Sequence, residues 1–422
     1  MEKLIIDGGR PLNGRIKVDG MKNVASAVLF ASILTRGTCV IENLPKINEV
    51  AVTVDILRII GADVSDAGDG ALKIDTTNVK NVSVPEELVG KFRASYYLAG
   101  AMLARFGKTE VGFPGGCDFG KRPVDQHIKA FRALGAEADT DGEHIYAYAP
   151  NGLVGTDIYF DCVTVGGTIN AMIAAVGADG TTVINNAARE PHIVDLANFL
   201  NTCGARISGA GTSVIKVRGG ELHGCTYDII PDMLEAGMYM AVAAATHGCI
   251  YIDGIIPRHV SSISTKLTEM GVAITEFDDG VLVSAPNALK STNIETLPYP
   301  GFPTDMQPLM AVLMCLADGV GTINETIYDD RFRYVEELKR MGAHITLSGR
   351  RRAEIIGGYP LSPSNVRAVD LRAGAAMVVA ALATPGRTEI DDIYHLERGY
   401  SDMVEKLKSL GASIKKINYT SL

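Results

Sequence analysis

Six times along the 422-residue chain a helix-like run ends in glycine and passes into a short strand. The six segments are Leu57 to Ala62, Phe131 to Ala136, Leu200 to Ala205, Leu267 to Val272, Leu338 to Ala343 and Leu407 to Ala412. Their marker glycines, Gly61, Gly135, Gly204, Gly271, Gly342 and Gly411, are spaced by 74, 69, 67, 71 and 69 residues. Each is placed to close a helix in the left-handed conformation, where a side chain is disfavoured. A second marker keeps the same beat. Gly37, Gly107, Gly180, Gly248, Gly321 and Gly386 each follow a small-residue apolar stretch, among them Ala25 to Leu34, Ala94 to Leu103, Ala236 to Ala245, Pro308 to Leu316 and Gly374 to Leu382. A strand-like run such as Thr181-Thr182-Val183-Ile184 comes next.

Each unit of about 70 residues therefore reads as a buried Ala-rich helix, a strand, an amphipathic helix, and a further strand or hairpin. No such unit can bury its apolar face alone, so the six must pack on one another. Two globular halves of three repeats satisfy the count, and so does a closed ring of six. No Pro/Gly/Ser-rich tether separates halves, which predicts a tight crossover.

Composition narrows the function. With 40 basic against 49 acidic residues, the net charge is −9, which repels nucleic-acid phosphates. Tryptophan is absent and aromatic residues make up 6%, too few for a base-stacking platform. No run reaches the roughly 18 apolar residues of a membrane span, and the N-terminus lacks a signal-peptide pattern. The seven cysteines are scattered without a C-x-x-C, which predicts reduced thiols in a cytoplasm. Eight histidines form no metal-binding spacing, so no metal site is expected.

Unusual residues open the Ala-rich helices. Lys22 and Asn23 precede the first, Arg93 the second, and Thr164-Val165-Gly166-Gly167-Thr168 the third. Asp232 and Glu235 open the fourth, Asp305 the fifth and Arg372 the sixth. Helix N-termini aimed at a shared cleft, with these cations, would make a site for phosphate or carboxylate. The acidic residues at such positions read equally well as ordinary caps. A Lys or Arg there opposes the helix dipole unless an anion intervenes.

The densest chemistry lies in Pro114-Gly115-Gly116-Cys117-Asp118-Phe119-Gly120-Lys121-Arg122-Pro123. Three glycines and two prolines in ten residues predict an exposed, hinged loop. Lys121 and Arg122 favour the Cys117 thiolate, pointing to a reactive acid or nucleophile. The other six cysteines read as apolar filler, and His127 as a satisfied helix histidine.

Several motifs together carry a family resemblance. They are Gly20-Met21-Lys22-Asn23, Phe92-Arg93-Ala94-Ser95, the loop from Pro114 through Arg122-Pro123-Val124-Asp125, and Ala188-Arg189-Glu190-Pro191. Gly301 through Gln307, Asp370-Leu371-Arg372-Ala373 and His395 through Tyr400 complete the set. End to end, the chain resembles the UDP-N-acetylglucosamine 1-carboxyvinyltransferases, the enolpyruvyl transferases that open peptidoglycan precursor synthesis. The resemblance implies an α/β protein, the two-domain inside-out α/β barrel of the enolpyruvyl transferase fold, with helices inside and sheets outside. It places one domain at residues 22–230, with the Cys117 loop. The other combines residues 1–21 and 231–422, with Asp305, Arg372 and Arg398.

It implies that the enolpyruvyl group of phosphoenolpyruvate passes to the 3′-hydroxyl of UDP-N-acetylglucosamine through a tetrahedral intermediate, releasing phosphate. Cys117 resembles the family's acid, which also bonds to the phosphoenolpyruvate carbon and is labelled by the epoxide fosfomycin. Asp305 matches the carboxylate that accepts the hydroxyl proton. Lys22, Arg122 and Arg398 match the phosphate-gripping cations, Arg372 with Arg398 the carboxylate clamp, and Asn23 and Glu190 the lining of the same site. Arg93, Arg122, Pro123, Val124, Asp125, Gln126, Thr164, Val165, Gly166, Asp305 and Ile327 match nucleotide-sugar contacts. Neither metal nor organic cofactor is implied. The expected partners are the two small substrates, with neither nucleic acid nor membrane insertion.

Three positions depart from the family pattern. Cys162 stands where a Lys is frequent, Gly167 where an Ala is usual, and Met238 where a Thr is common. A missing lysine contact is worth about 1 to 3 kcal/mol. The departures keep open a catalytically idle paralogue that binds nucleotide sugar. The sister 5-enolpyruvylshikimate-3-phosphate synthases share fold and chemistry but lack the cysteine loop.

Overall fold

The structure is a computed structural model describing residues 2–115 and 123–418. The chain forms two compact units, Gly20–Ile230 and Met1–Asp19 with Pro231–Leu422. Helices apolar on every face must be enclosed, and each unit encloses three. In the first these are Lys22–Ala31, Tyr97–Phe106 and Val165–Val176. In the second they are Met233–Ala245, Gln307–Leu316 and Leu371–Ala383. Every residue of Met233–Ala245 is buried. In the second unit the three helices pack pairwise, and in the first Tyr97–Phe106 packs on both others. Small residues permit the approach: a Cβ on Gly100 would lie 2.4 Å from Asn170 Oδ1. No helix among the described residues is long and apolar enough to cross a membrane.

Sheets whose strands alternate buried and exposed residues cover these helices, as in Val214–Arg218. Five of the sheets are four-stranded and share one pattern, a parallel edge strand followed by antiparallel neighbours. In Asp157–Tyr159, Thr182–Asn185, Val214–Arg218, Arg206–Ser208, the first pair is parallel because an enclosed helix connects them. The second repeat carries a three-stranded sheet instead. In the sixth, the position taken elsewhere by a hairpin strand belongs to Glu2–Gly8. That strand pairs antiparallel with both Gly386–Asp391 and Ser413–Asn418.

All six marker glycines have positive φ, between 93° and 112°. Beside each, the same bond recurs: the N–H of the following residue donates to the carbonyl five positions back. Ala62 donates to Leu57 at 2.9 Å, and Ala136, Ala205, Val272, Ala343 and Ala412 make equivalent bonds at 3.0 Å. These are Schellman-type closures of the amphipathic helices. The second marker behaves differently. Gly107, Gly180 and Gly386 are left-handed, whereas Arg36 and His247 take positive φ just ahead of Gly37 and Gly248. Gly248 serves close approach, since a Cβ there would meet the Leu12 carbonyl at 1.9 Å.

A paired substitution separates strain from crowding. A Cβ on Gly135 meets nothing within 4 Å, whereas one on Gly61 lies 2.9 Å from the Asn78 carbonyl. Gly135→Ala is expected to cost about 1 to 2 kcal/mol, the left-handed penalty alone, and Gly61→Ala distinctly more. Urea unfolding midpoints read the order, and equal midpoints would contradict it.

Candidate functional site

In the Gly20–Ile230 unit, Lys22 is the first residue of its helix, with Asn23 beside it, both half-buried. The Lys22 ammonium lies 2.8 Å from the Glu49 carboxylate, whose side chain is 6% exposed. The anion that allows a cation at this helix start is thus supplied within the unit, where the residue pattern pointed to a ligand. Glu49 is in the first turn of Asn48–Ile59, so it reads in sequence as a dipole-complementing acid. Nothing local marks its partner.

Arg93 begins a short 3-10 turn, Arg93–Tyr96, and its guanidinium lies 5.3 Å from the Tyr96 ring centroid. Val124 is buried, Pro123 and Asp125 are exposed, and Asp125 opens the helix Asp125–Ala133. Gln126 is buried with both ends of its amide engaged. It donates to Asp125 at 2.7 Å and Asp161 at 3.1 Å, and accepts from the Asp161 N–H at 3.0 Å. Thr164 caps the next helix, accepting from the Gly167 N–H at 3.2 Å. Val165 and Gly166 form that helix's first turn.

One buried hub holds these three segments. Asn170 donates to the Tyr96 carbonyl and to His127 Nδ1, each at 2.9 Å, and accepts from the Gly100 N–H at 3.0 Å. The network makes Nδ1 of His127 the acceptor, leaving the proton on Nε2. Burial first, then the Arg93 charge, pushes the His127 pKa down to about 3, so the ring is neutral. Gly166 packs so closely that a Cβ would lie 2.3 Å from the Tyr96 hydroxyl. Tyr96 and Asn170 look like core positions in the sequence. Their hydrogen bonds, which tie together the turns of Arg93, Gln126 and Gly166, carry no sequence signal.

In the other unit, Asp305 lies in the turn Thr304–Met306. Its carboxylate accepts from Arg331 at 2.6 Å and from Arg372 at 3.1 Å. The capping reading does not account for a carboxylate reached by two guanidinium groups. It holds for Asp232, which accepts from the Leu234 and Glu235 N–H groups at 2.8 and 3.3 Å. Arg372 is in the first turn of Leu371–Ala383, capped by Asp370, and Nη1 donates to the Tyr400 hydroxyl at 2.9 Å. Its burial alone would lower the guanidinium pKa; the fields of Tyr400, Asp305 and Asp232 hold it above the ordinary value. Arg398 ends the 3-10 segment Ile393–Arg398, half-buried.

A second hub orders this side. Glu325, fully buried, accepts from Thr296 and Thr304 hydroxyls at 3.0 and 2.9 Å, and from the N–H groups of Ile327 and Tyr328 at 2.8 and 3.1 Å. It thereby fixes the residue before Asp305 and the backbone of Ile327 together. Arg331 and Glu325 escape sequence reasoning because each stands in a polar stretch that reads as surface, Asp329-Asp330-Arg331 and Asn324-Glu325-Thr326.

Cys117 and Arg122 lie outside the described residues. Glu190 precedes the helix that Pro191 opens, and its carboxylate accepts from the Arg189 N–H at 2.9 Å. Of the departures, Cys162 is exposed, Met238 is enclosed, and a Cβ on Gly167 would press on Thr164 Cγ2 at 2.6 Å. The filler reading of the other cysteines holds singly for Cys315, which is buried, and fails for Cys162 and Cys249, which are exposed. Cys39, Cys203 and Cys225 instead come together.

A family model described as EPSP synthase (3-phosphoshikimate 1-carboxyvinyltransferase) matches residues 6–407. A UDP-N-acetylglucosamine 1-carboxyvinyltransferase of Caldanaerobacter subterraneus subsp. tengcongensis is 51% identical over 418 residues, 99% of this chain and 100% of that one. Another, from Clostridium botulinum, is 49% identical over 420 residues, covering 99% and 100%. Among solved structures, the enolpyruvyl transferase NikO from Streptomyces tendae aligns with TM-score 0.88 and 26% identity over 99% of both chains. An EPSP synthase from Acinetobacter baumannii shares the fold, with TM-score 0.79 and 18% identity over 99% of this chain and 100% of that one.

The His127 environment sets a pH dependence. Unfolded, a histidine takes its proton near pH 6.5, while folded His127 takes it only near 3. The unfolded chain binds more protons between those values, so stability falls on acidification below about 6.5. His127 is expected to account for about 2 kcal/mol of the loss between pH 7 and 5. Urea midpoints of wild type and His127→Gln at both pH values check this. A wild-type loss no steeper than the variant's would contradict it.

Proposed function

The chain belongs to the UDP-N-acetylglucosamine 1-carboxyvinyltransferases of the enolpyruvyl transferase family, and we propose that each of its two units carries part of the machinery for that transfer. It moves the enolpyruvyl group of phosphoenolpyruvate to the 3′-hydroxyl of UDP-N-acetylglucosamine and releases phosphate, the first committed step towards peptidoglycan. The observation that carries this is identity of about half the residues, 51% with one relative, over practically the whole chain. The matching family model is described by the sister reaction on 3-phosphoshikimate. The full-length relatives decide for the nucleotide sugar as acceptor.

The reaction sets a proton inventory. In the addition step a C–O bond forms at C2 of phosphoenolpyruvate, C3 gains a proton and the sugar hydroxyl loses one. In the elimination the C2–O bond to phosphate breaks and C3 returns a proton, restoring the double bond. In our reading Cys117 supplies the proton to C3 and Asp305 accepts that of the hydroxyl. Lys22, Arg122 and Arg398 hold the phosphate, while Arg372 with Arg398 holds the carboxylate. Asn23 lines the same site. Arg93, the segment from Arg122 to Gln126, Thr164, Val165, Gly166, Asp305 and Ile327 hold the nucleotide sugar.

The geometry supports these roles in two ways. Arg372 presents a planar guanidinium aligned by Asp305 and Tyr400, so its orientation precedes substrate binding. The sugar-contact segments are ordered by buried hubs, Asn170 in one unit and Glu325 in the other, and neither hub is asked to react.

Phosphate release from phosphoenolpyruvate tests the reading. Release is expected with UDP-N-acetylglucosamine and not with shikimate-3-phosphate, and it should be lost or greatly slowed in Cys117→Ser. Arg372→Lys keeps the charge but not the bidentate fork. It is expected to lower kcat by about 100-fold or more, with a rise in KM for phosphoenolpyruvate. Silence with both acceptors, in wild-type protein that still binds the nucleotide sugar, would favour the idle binder.

A further inference from the structure

Three thiols far apart in sequence meet in the Gly20–Ile230 unit. Cys39 is on the strand Thr38–Glu42, Cys203 caps the end of Pro191–Thr202, and Cys225 precedes the strand Thr226–Asp228. The three sulfur atoms all lie within 4.8 Å of one another, and Cys203 and Cys225 are 3.4 Å apart. Cys39 and Cys203 are buried and Cys225 is half-buried, so one side of the cluster remains reachable. Among the described residues, no other His, Cys, Asp or Glu group brings three ligand atoms so close.

We propose that Cys39, Cys203 and Cys225 form a trigonal thiolate site for a soft, thiophilic metal ion of the Cu+ or Zn2+ class. Three sulfurs about 2.3 Å from one ion stand roughly 3.7 to 4.0 Å from each other, so small side-chain movements suffice. Sulfur donors without carboxylate or imidazole select soft ions over Mg2+ or Ca2+. On binding, three S–H bonds break, three sulfur–metal bonds form and three protons pass to solvent. The Cys39 thiol donates to the Thr35 hydroxyl, 3.6 Å from its sulfur.

The location gives the ion a structural consequence. Strand Thr226–Asp228 pairs in parallel with Thr38–Glu42, and the Val40 N–H donates to the Cys225 carbonyl at 2.8 Å. A bound ion would clip the first repeat of the unit to the end of its third. This site is separate from the residues assigned to enolpyruvyl transfer, and its test does not use turnover.

The experiment titrates full-length protein carrying Cys117→Ser with Cd2+ alone, under a non-thiol reductant. Expected are one ion per chain, sulfur-to-metal charge-transfer absorption scaled to three thiolates, release of three protons, and a raised melting temperature. Cys225→Ala, at the half-buried position, and Cys39→Ala should each lower affinity by about 100-fold or more. Changing the exposed Cys162 and Cys249 to Ser should leave binding unchanged. Displacement by Cu+ or by Zn2+ then identifies the preferred ion. Absorption corresponding to fewer than three sulfurs, or undiminished binding in Cys225→Ala, would overturn the site. A Cys203–Cys225 disulfide persisting under reductant would overturn it as well.

Discussion

An arginine with 7% of its side chain exposed requires partners, and Arg372 has them in Asp305 and Tyr400. The need arises because enclosed helices begin with charge, and an uncompensated buried ion costs several kcal/mol. The same constraint appears wherever charge meets a buried helix. Lys22 pairs with Glu49. Glu235, pushed up to about 7 by burial and drawn back by Lys406, is 2.5 Å from that ammonium. Lys406 reaches Asp19 as well, at 2.9 Å. These pairs decide where loops and first turns can lie, and the interior of the helices stays apolar as a result.

Behind the charged residues lies a layer that works by hydrogen bonding. Asn170 uses both amide donors and its carbonyl on three partners, and Glu325 receives five donors from three separate segments. Such fully engaged buried groups hold a loop in one arrangement, because any alternative strands a polar atom. The segments they hold are those resembling nucleotide-sugar contacts. Specific recognition of a large polar ligand needs that order before the ligand arrives.

Much of this was legible without coordinates. The six left-handed glycines and their recurrent closures follow from residue types that permit one conformation cheaply, and the enclosed helices from uninterrupted small apolar runs. The motif positions Lys22, Arg93, Thr164, Asp305 and Arg372 all fall at helix starts, as their spacing indicated. Less legible were the elements that depend on partners distant in the chain. Strand Glu2–Gly8 enters the sixth repeat's sheet, whose other strands lie between residues 365 and 418, and no local pattern announces such a pairing. Asp305 and Asp232 look alike as helix-start acids, yet one holds two arginines and the other caps.

The division has a physical cause. Backbone conformation and the choice between buried and exposed faces depend on each residue and its near neighbours, so the repeat and its helices are written in the residue order. Family membership is written there too, since it rests on identities along the whole chain. Which charge meets which, whether an acid caps or bridges, and that thiols at 39, 203 and 225 share one place depend on contacts between residues well separated along the chain. Packing alone sets those distances, and with them the Asp305 bridge, the Asn170 and Glu325 hubs and the three-sulfur cluster.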